Sequence, residues 1–190
     1  MLFGKTVVVG ITGGVAAHYL PELIGQLRYR YMASVFPVMT PAAAHFVAPV
    51  TVAAAAGAPV WLDIFEHAMT APLTHIELAR MADVVLVAPA TYDFIGKVAA
   101  GWADDPVSLL LSATTAPVLL APAMHDTMWA NPIMRRNLET LRALAGYQVV
   151  PPVTGLQATG DIGEGRMASI DRILSALNEL ASTKSDQAKE

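Results

Sequence analysis

The chain has 190 residues, 54% of them hydrophobic and 15% charged, with a formal net charge of −4 and an isoelectric point near 5.7. That is enough for one well-buried domain and too little for two, and the acidic balance leaves no basic footprint for nucleic acid or an anionic membrane. The absence of cysteine excludes disulfides, thiolate metal sites and a cysteine nucleophile, and no other metal site is expected.

In chain order, short β-branched runs alternate with longer helix-like segments. Strands are expected at 6–9, 34–39, 84–87, 118–120 and 148–150. Helices are expected at 15–29, 41–56, 74–81, 95–100, 106–112, 132–144 and 170–180. Alternation of this kind implies a parallel sheet covered by helices on both faces. The expected fold is a single α/β domain over 1–181, a Rossmann-like, flavodoxin-like three-layer arrangement, with a polar disordered tail at 182–190. Residues 151–167, rich in glycine and proline and poor in apolar periodicity, are expected to form a long loop or hairpin of the lid type. No apolar run approaches the roughly 20 residues of a spanning helix, and the N-terminus lacks a signal-peptide layout, so the expected location is cytoplasmic.

Five segments carry candidate chemistry. Gly10-Ile-Thr-Gly13-Gly14-Val15 directly follows the first strand, where glycines let backbone N–H groups approach a phosphate at a helix N-terminus. The spacing is not Gly-x-Gly-x-x-Gly, which favours a mononucleotide over a dinucleotide. Thr40, before Pro41 and near Phe46, can donate to a phosphate or cap its own helix. Thr74 and Glu77 have the spacing of a capping box, which sets His75 in a first helical turn where the helix dipole favours neutral imidazole, the form a general base requires. The turns Ala88-Pro89-Ala90-Thr91-Tyr92-Asp93-Phe94 and Ala121-Pro122-Ala123-Met124-His125-Asp126-Thr127-Met128-Trp129 each start at the carboxyl end of a strand, where open α/β sheets bind ligands.

Taken in order, His75-Ile-Glu-Leu, Pro89-Ala-Thr-Tyr-Asp-Phe and Pro122-Ala-Met-His-Asp-Thr-Met-Trp resemble the marks of the homo-oligomeric flavin-containing cysteine decarboxylases. Those marks are a His-Ile-Glu-Leu histidine, a Pro-Ala-Ser-Ala-Asn-Thr turn and a Pro-x-Met-Asn-x-x-Met-Trp motif. The resemblance implies FMN as cofactor, surrounded by Gly13, Gly14, Val15, Thr40 and Phe46, with Thr91, Tyr92, Asp93 and Phe94 at its phosphate or ring edge and Ala123 and Met124 beside it. It implies His75 as the catalytic histidine. His125 stands where the family asparagine meets the substrate carboxylate, Met128 packs near flavin and substrate, and the loop bearing Thr159, Gly160 and Arg166 folds over the substrate. The family also builds trimers, sometimes assembled into dodecamers, with flavin at subunit boundaries; Trp61, Phe65 and Trp102 suit such surfaces.

Within this family, phosphopantothenoylcysteine decarboxylases carry a cysteine where this chain has Thr159, and that cysteine helps to re-reduce an enethiol. Its absence favours the peptidyl-cysteine branch: oxidative decarboxylation of the C-terminal cysteine of a ribosomally made precursor peptide, giving an aminoenethiol for aminovinyl-cysteine ring formation. The alternative is phosphopantothenoylcysteine decarboxylation in coenzyme A biosynthesis. A prenyl-flavin synthase or a non-catalytic flavoprotein would share the fold, but the first lacks a clear prenyl-phosphate constellation here and the second does not require His75.

Overall fold

The computed structural model describes residues 1–65 and 73–187. Five parallel strands, β1 (Thr6–Ile11), β2 (Ser34–Met39), β3 (Val84–Ala90), β4 (Val118–Pro122) and β5 (Tyr147–Val149), form a sheet ordered β2-β1-β3-β4-β5. Alternation along the strands divides the core in two. Val7, Val9 and Ile11 of β1 with Leu86 and Ala88 of β3 face one side, while Val8, Val85 and Val87 face the other. Both faces are buried, which explains why these strands read as continuous apolar runs rather than alternating ones.

The first face packs on α1 (Leu20–Tyr31), α2 (Pro49–Ala56) and α8 (Ile170–Gln187), through residues such as Leu23, Leu27, Val52 and Leu177. The second packs on α3 (Thr74–Met81), α4 (Tyr92–Ala99), α5 (Pro106–Ala113) and α7 (Pro132–Arg142), through Leu78, Phe94, Leu110 and Leu138. This is the expected three-layer, flavodoxin-like fold, whose strand order reverses between β1 and β3. None of the described helices is long and apolar enough to cross a membrane.

Element limits differ from expectation where proline or pairing intervenes. The segment expected as one helix over 15–29 is a 3₁₀ helix, Val15–Tyr19, followed by α1, with Pro21 in the first turn of α1. The segment 41–56 likewise splits into a 3₁₀ helix, Pro41–His45, and α2, which starts at Pro49. Strands β1, β3 and β4 run further than expected because Gly10, Ile11, Ala90 and Pro122 still have partners across the sheet. Helix α8 continues to Gln187, past the expected limit at 181, and the last three positions of the expected tail lie outside the described residues. Trp61, expected at a surface, is instead 2% exposed, because its backbone bridges to Val38 at the sheet edge and its ring joins the second core. Phe65 and Trp102 are exposed.

The expected lid is a two-stranded antiparallel hairpin, β6 (Val153–Leu156) and β7 (Ile162–Arg166). It lies on the short helix α6 (Asp126–Trp129), where the Met124 N–H donates to the Gly165 carbonyl at 3.0 Å. A Cβ on Gly165 would run into the Met124 carbonyl oxygen, so this contact demands glycine. Gly165→Ala therefore lifts the hairpin from α6 and is expected to cost about 1–3 kcal/mol, the usual penalty of overpacking against groups that cannot yield. A lower unfolding midpoint in urea checks this; an unchanged midpoint contradicts it.

Candidate functional site

At the carboxyl ends of β1 and β3 the connections leave the sheet in opposite directions, and the crevice between them opens into a cavity of about 990 Å³. Its two walls are tied by one buried side chain. Thr12, 1% exposed, donates through Oγ1 to the Pro89 carbonyl at 2.7 Å and accepts from the Thr91 N–H at 3.2 Å. Thr91 in turn caps α4, accepting from the Phe94 N–H at 3.4 Å. A Cβ on Gly13 would stand 2.6 Å from the Ala42 Cβ, and one on Gly14 3.1 Å from Thr91 Cγ2, so neighbouring turns approach the first one almost backbone to backbone. The 3₁₀ helix after Gly14 and helix α4 after Thr91 both open towards the crevice. The first N–H groups of a helix have no partner inside it and carry partial positive charge, which suits them to a phosphate.

The facing wall follows β4. His125 caps α6; its Nδ1 lies 2.9 Å from Thr127 Oγ1, 3.4 Å from the Thr127 N–H and 2.8 Å from Asp126 Oδ1. Those local contacts occupy Nδ1 and leave Nε2 as the ring nitrogen available to a ligand. Met124 and Met128 add polarisable apolar surface. The hairpin closes the third side: Gly163 leaves the space taken by Asp126 Oδ2 and Gln157 Nε2, 2.5 and 2.6 Å from where its Cβ would be.

Most of the expected site residues meet here. Gly13, Gly14, Val15 and Thr40 line the cavity from the first two connections, and Thr91, Tyr92, Asp93 and Phe94 from the third. Ala123, Met124, His125 and Met128 line it from the turn after β4, with Thr159 and Arg166 from the hairpin. Thr40 takes the capping role: its hydroxyl oxygen accepts from the Ala43 N–H at 3.3 Å, and the residue also lines the cavity.

Three expected residues are elsewhere. Phe46 ends its 3₁₀ helix 44% exposed and outside the cavity lining, because that helix turns the chain away after Pro41 and Ala42. Gly160 turns the hairpin at φ +92°, also outside the lining. His75 lies in the first turn of α3, its ring 6.4 Å from that of Trp61, and does not line the cavity of its own chain. The expected capping box there does not form. Leu73 is the cap residue, and Thr74 is already helical and buried, so its hydroxyl points inward rather than across the helix start. Thr74 Oγ1 and Glu77 Oε2 are shielded from solvent and have no hydrogen-bond partner among the described residues.

Sequence reasoning overlooked other lining residues. Thr12 lies inside the glycine motif, whose spacing draws attention to its glycines rather than to its hydroxyl. His18 and Tyr19, with ring centroids 3.8 Å apart, were absorbed into a helix. Lys97, Asp104 and Asp105 form a charge cluster on the wall, with Lys97 Nζ 3.2 Å from Asp104 and 3.9 Å from both Asp93 and Asp105. Partial burial pulls the Lys97 ammonium pKa down, but the Asp104 hydrogen bond and the three carboxylate charges outweigh it and hold the group above the usual lysine value. Asp105 before Pro106 is a readable helix start, and here it completes a capping box with Ser108.

The residues present fit a flavin mononucleotide. Threonines and glycine-turn N–H groups face the cavity together with methionines, alanines and Val15, and its volume suits a ligand of that size. The profile of the family described as "Flavoprotein" matches residues 1–182. The chain is 44% identical over 97% of its length to "Coenzyme A biosynthesis bifunctional protein CoaBC" of Haemophilus influenzae, of which the match covers 46%, so the chain spans about half of that relative. Among solved structures, it resembles "PPC decarboxylase mutant C175S complexed with pantothenoylaminoethenethiol" with TM-score 0.80 and 31% identity over 92% of this chain and 97% of that one. It also resembles "FMN-dependent Cysteine Decarboxylases SpaF" with TM-score 0.82 and 27% identity over 96% and 99%.

These similarities overturn the expectation of a peptide-tailoring enzyme. Thr159 is one position, whereas the similarity to a coenzyme A biosynthesis protein runs along nearly the whole chain at 44% identity. The match over residues 1–182, the parallel sheet and the phosphate-ready turns at its switch point agree with one another, and the chain belongs to the flavoprotein family.

Proposed function

We propose that this chain is an FMN-dependent decarboxylase acting on phosphopantothenoylcysteine, the activity of coenzyme A biosynthesis. The observation that carries the reading is the 44% identity to the coenzyme A biosynthesis protein across 97% of the chain, over a cavity whose walls suit a flavin. Gly13, Gly14, Val15 and Thr91 would hold the phosphate, and Ala123, Met124 and Met128 would pack on the ring. FMN, when bound, would supply reversible two-electron chemistry, so that decarboxylation could proceed with no net oxidation of the substrate. His125 presents Nε2 to the substrate carboxylate and orients it for loss as CO₂. Thr159 lines the cavity where the family resemblance implies a cysteine, and the chain has no cysteine, so the proton that completes the final reduction must arrive through a group other than a thiol.

In this reading His75 removes the substrate proton. Because it does not line the cavity of its own chain, it serves the cavity of a neighbouring copy in a homo-oligomer, which requires the exposed face of α3 to pack against a second chain. The resemblance to homo-oligomeric flavin-containing cysteine decarboxylases supports such an assembly, and the SpaF and PPC decarboxylase structures share the fold at TM-scores of 0.82 and 0.80.

Two experiments test the reading. Incubation of flavin-loaded protein with phosphopantothenoylcysteine should give a product lighter by about 44 Da by mass spectrometry, the mass of CO₂ with the flavin electrons returned. No product would sink the proposal, and a loss of about 46 Da would keep the substrate but assign to Thr159 the failure of the final reduction. His75→Asn should keep its yellow flavin spectrum and lose at least about 100-fold in kcat, the lower range of general-base contributions. Full turnover in that variant removes His75 from the reaction.

A further inference from the structure

Two side chains with a permanent positive charge line the cavity among the described residues, and their surroundings are opposite. Lys97 is held by three carboxylates. Arg166, on β7, makes no ion pair among the described residues, and its one described side-chain hydrogen bond is to the Tyr19 hydroxyl at 3.5 Å, a long and weak contact. Gly155, across the hairpin, makes room for it: a Cβ there would stand 2.8 Å from Arg166 Cδ. The guanidinium is therefore uncompensated, pre-positioned at the cavity, and backed by a neutral hydroxyl that can also donate.

We propose that Arg166, with Tyr19, reads the phosphate monoester at the far end of the substrate and sets the preference for phosphorylated over unphosphorylated pantothenoyl compounds; this rests on the substrate reading given above. A guanidinium forms paired, charge-assisted hydrogen bonds to phosphate oxygens, which suits it to this role better than an ammonium.

Two other anions could compete for it, and chemistry disfavours both. The cysteine carboxylate loses its charge as CO₂ departs, so a permanent cation on it would stabilise the ground state more than the transition state and slow the reaction. The cofactor phosphate already has the helix-opening N–H groups that follow Gly14 and Thr91, on connections of the sheet rather than on the hairpin. The substrate phosphate keeps its charge throughout the reaction, and the hairpin that carries Arg166 lines the cavity on a side separate from those connections.

The test compares 4′-phosphopantetheine with pantetheine, which differ only in the phosphate and carry no carboxylate, by calorimetric titration of flavin-loaded protein. The native chain should bind the phosphorylated compound about 10- to 100-fold more tightly, the size of a hydrogen bond to a charged group. Arg166→Ala should bring the two affinities to within about 3-fold, Arg166→Lys should retain part of the preference, and Tyr19→Phe should reduce it less than Arg166→Ala does. Flavin absorbance of each variant is read alongside. An unchanged preference in Arg166→Ala overturns the proposal, as does a native chain without preference. Loss of FMN from Arg166→Ala would show that the phosphate read is the cofactor's and also overturns it. Turnover of phosphopantothenoylcysteine by the native chain, measured in parallel, separates the two readings: turnover with the preference intact in Arg166→Ala sinks this inference alone, whereas neither turnover nor binding sinks both.

Discussion

The site depends on one buried hydroxyl. Thr12 stands where β1 leaves the sheet in one direction and β3 in the other, and its Oγ1 joins the two connections by donating to Pro89 and accepting from Thr91. Without that link the crevice would still exist, since the strand order alone creates it, but its walls would not be held at a fixed separation. The bond is buried, so both partners would be left unsatisfied if it broke, and a buried donor or acceptor without a partner costs about 1–3 kcal/mol. Gly13 and Gly14 act in the same place by omission: each lacks the Cβ that would force Ala42 or Thr91 away. Link and omission together fix the helix openings that face the cavity.

Around this fixed floor the remaining parts are layered by element. The turn after β4 brings His125 with one ring nitrogen occupied by Thr127 and Asp126, so the cap of α6 also sets the orientation of a candidate substrate contact. The hairpin then rests on that turn through Gly163 and Gly165, and carries Thr159 and Arg166 over the cavity. Helix caps, glycine contacts and site geometry are the same set of interactions, which is why the candidate residues come from turns and not from the apolar strands that support them.

Much of this was legible in the chain. Runs such as 84–87 between helical segments have the period and length of buried parallel strands, and the turns at Thr91 and His125 announced themselves by following such runs directly. What stayed hidden has specific causes. Trp61 suits a subunit surface by residue type alone, yet one bridge from its backbone to Val38 at the sheet edge accompanies its burial. Thr74 has capping-box spacing, but burial of its side chain moves the helix start back to Leu73, a tertiary effect that spacing cannot show. His75 lies on a helix, as its spacing implies, and still falls outside the cavity lining, since helical spacing does not say where the helix sits relative to the sheet opening. Thr159 alone points to the peptidyl-cysteine branch, but one side chain does not decide the branch when similarity to a coenzyme A biosynthesis protein extends over 97% of the chain.

The central claim is that the turns at the β1–β3 switch point hold a phosphorylated flavin through backbone N–H groups. Titrating flavin-free protein with FMN and with riboflavin, following the quenching of flavin fluorescence, tests it directly. The account predicts that FMN binds at least about 10-fold more tightly, because only FMN can use the helix-opening N–H groups that follow Gly14 and Thr91. Equal affinity for the two would mean that those turns do not read a phosphate, and the account of the site would fail at its floor.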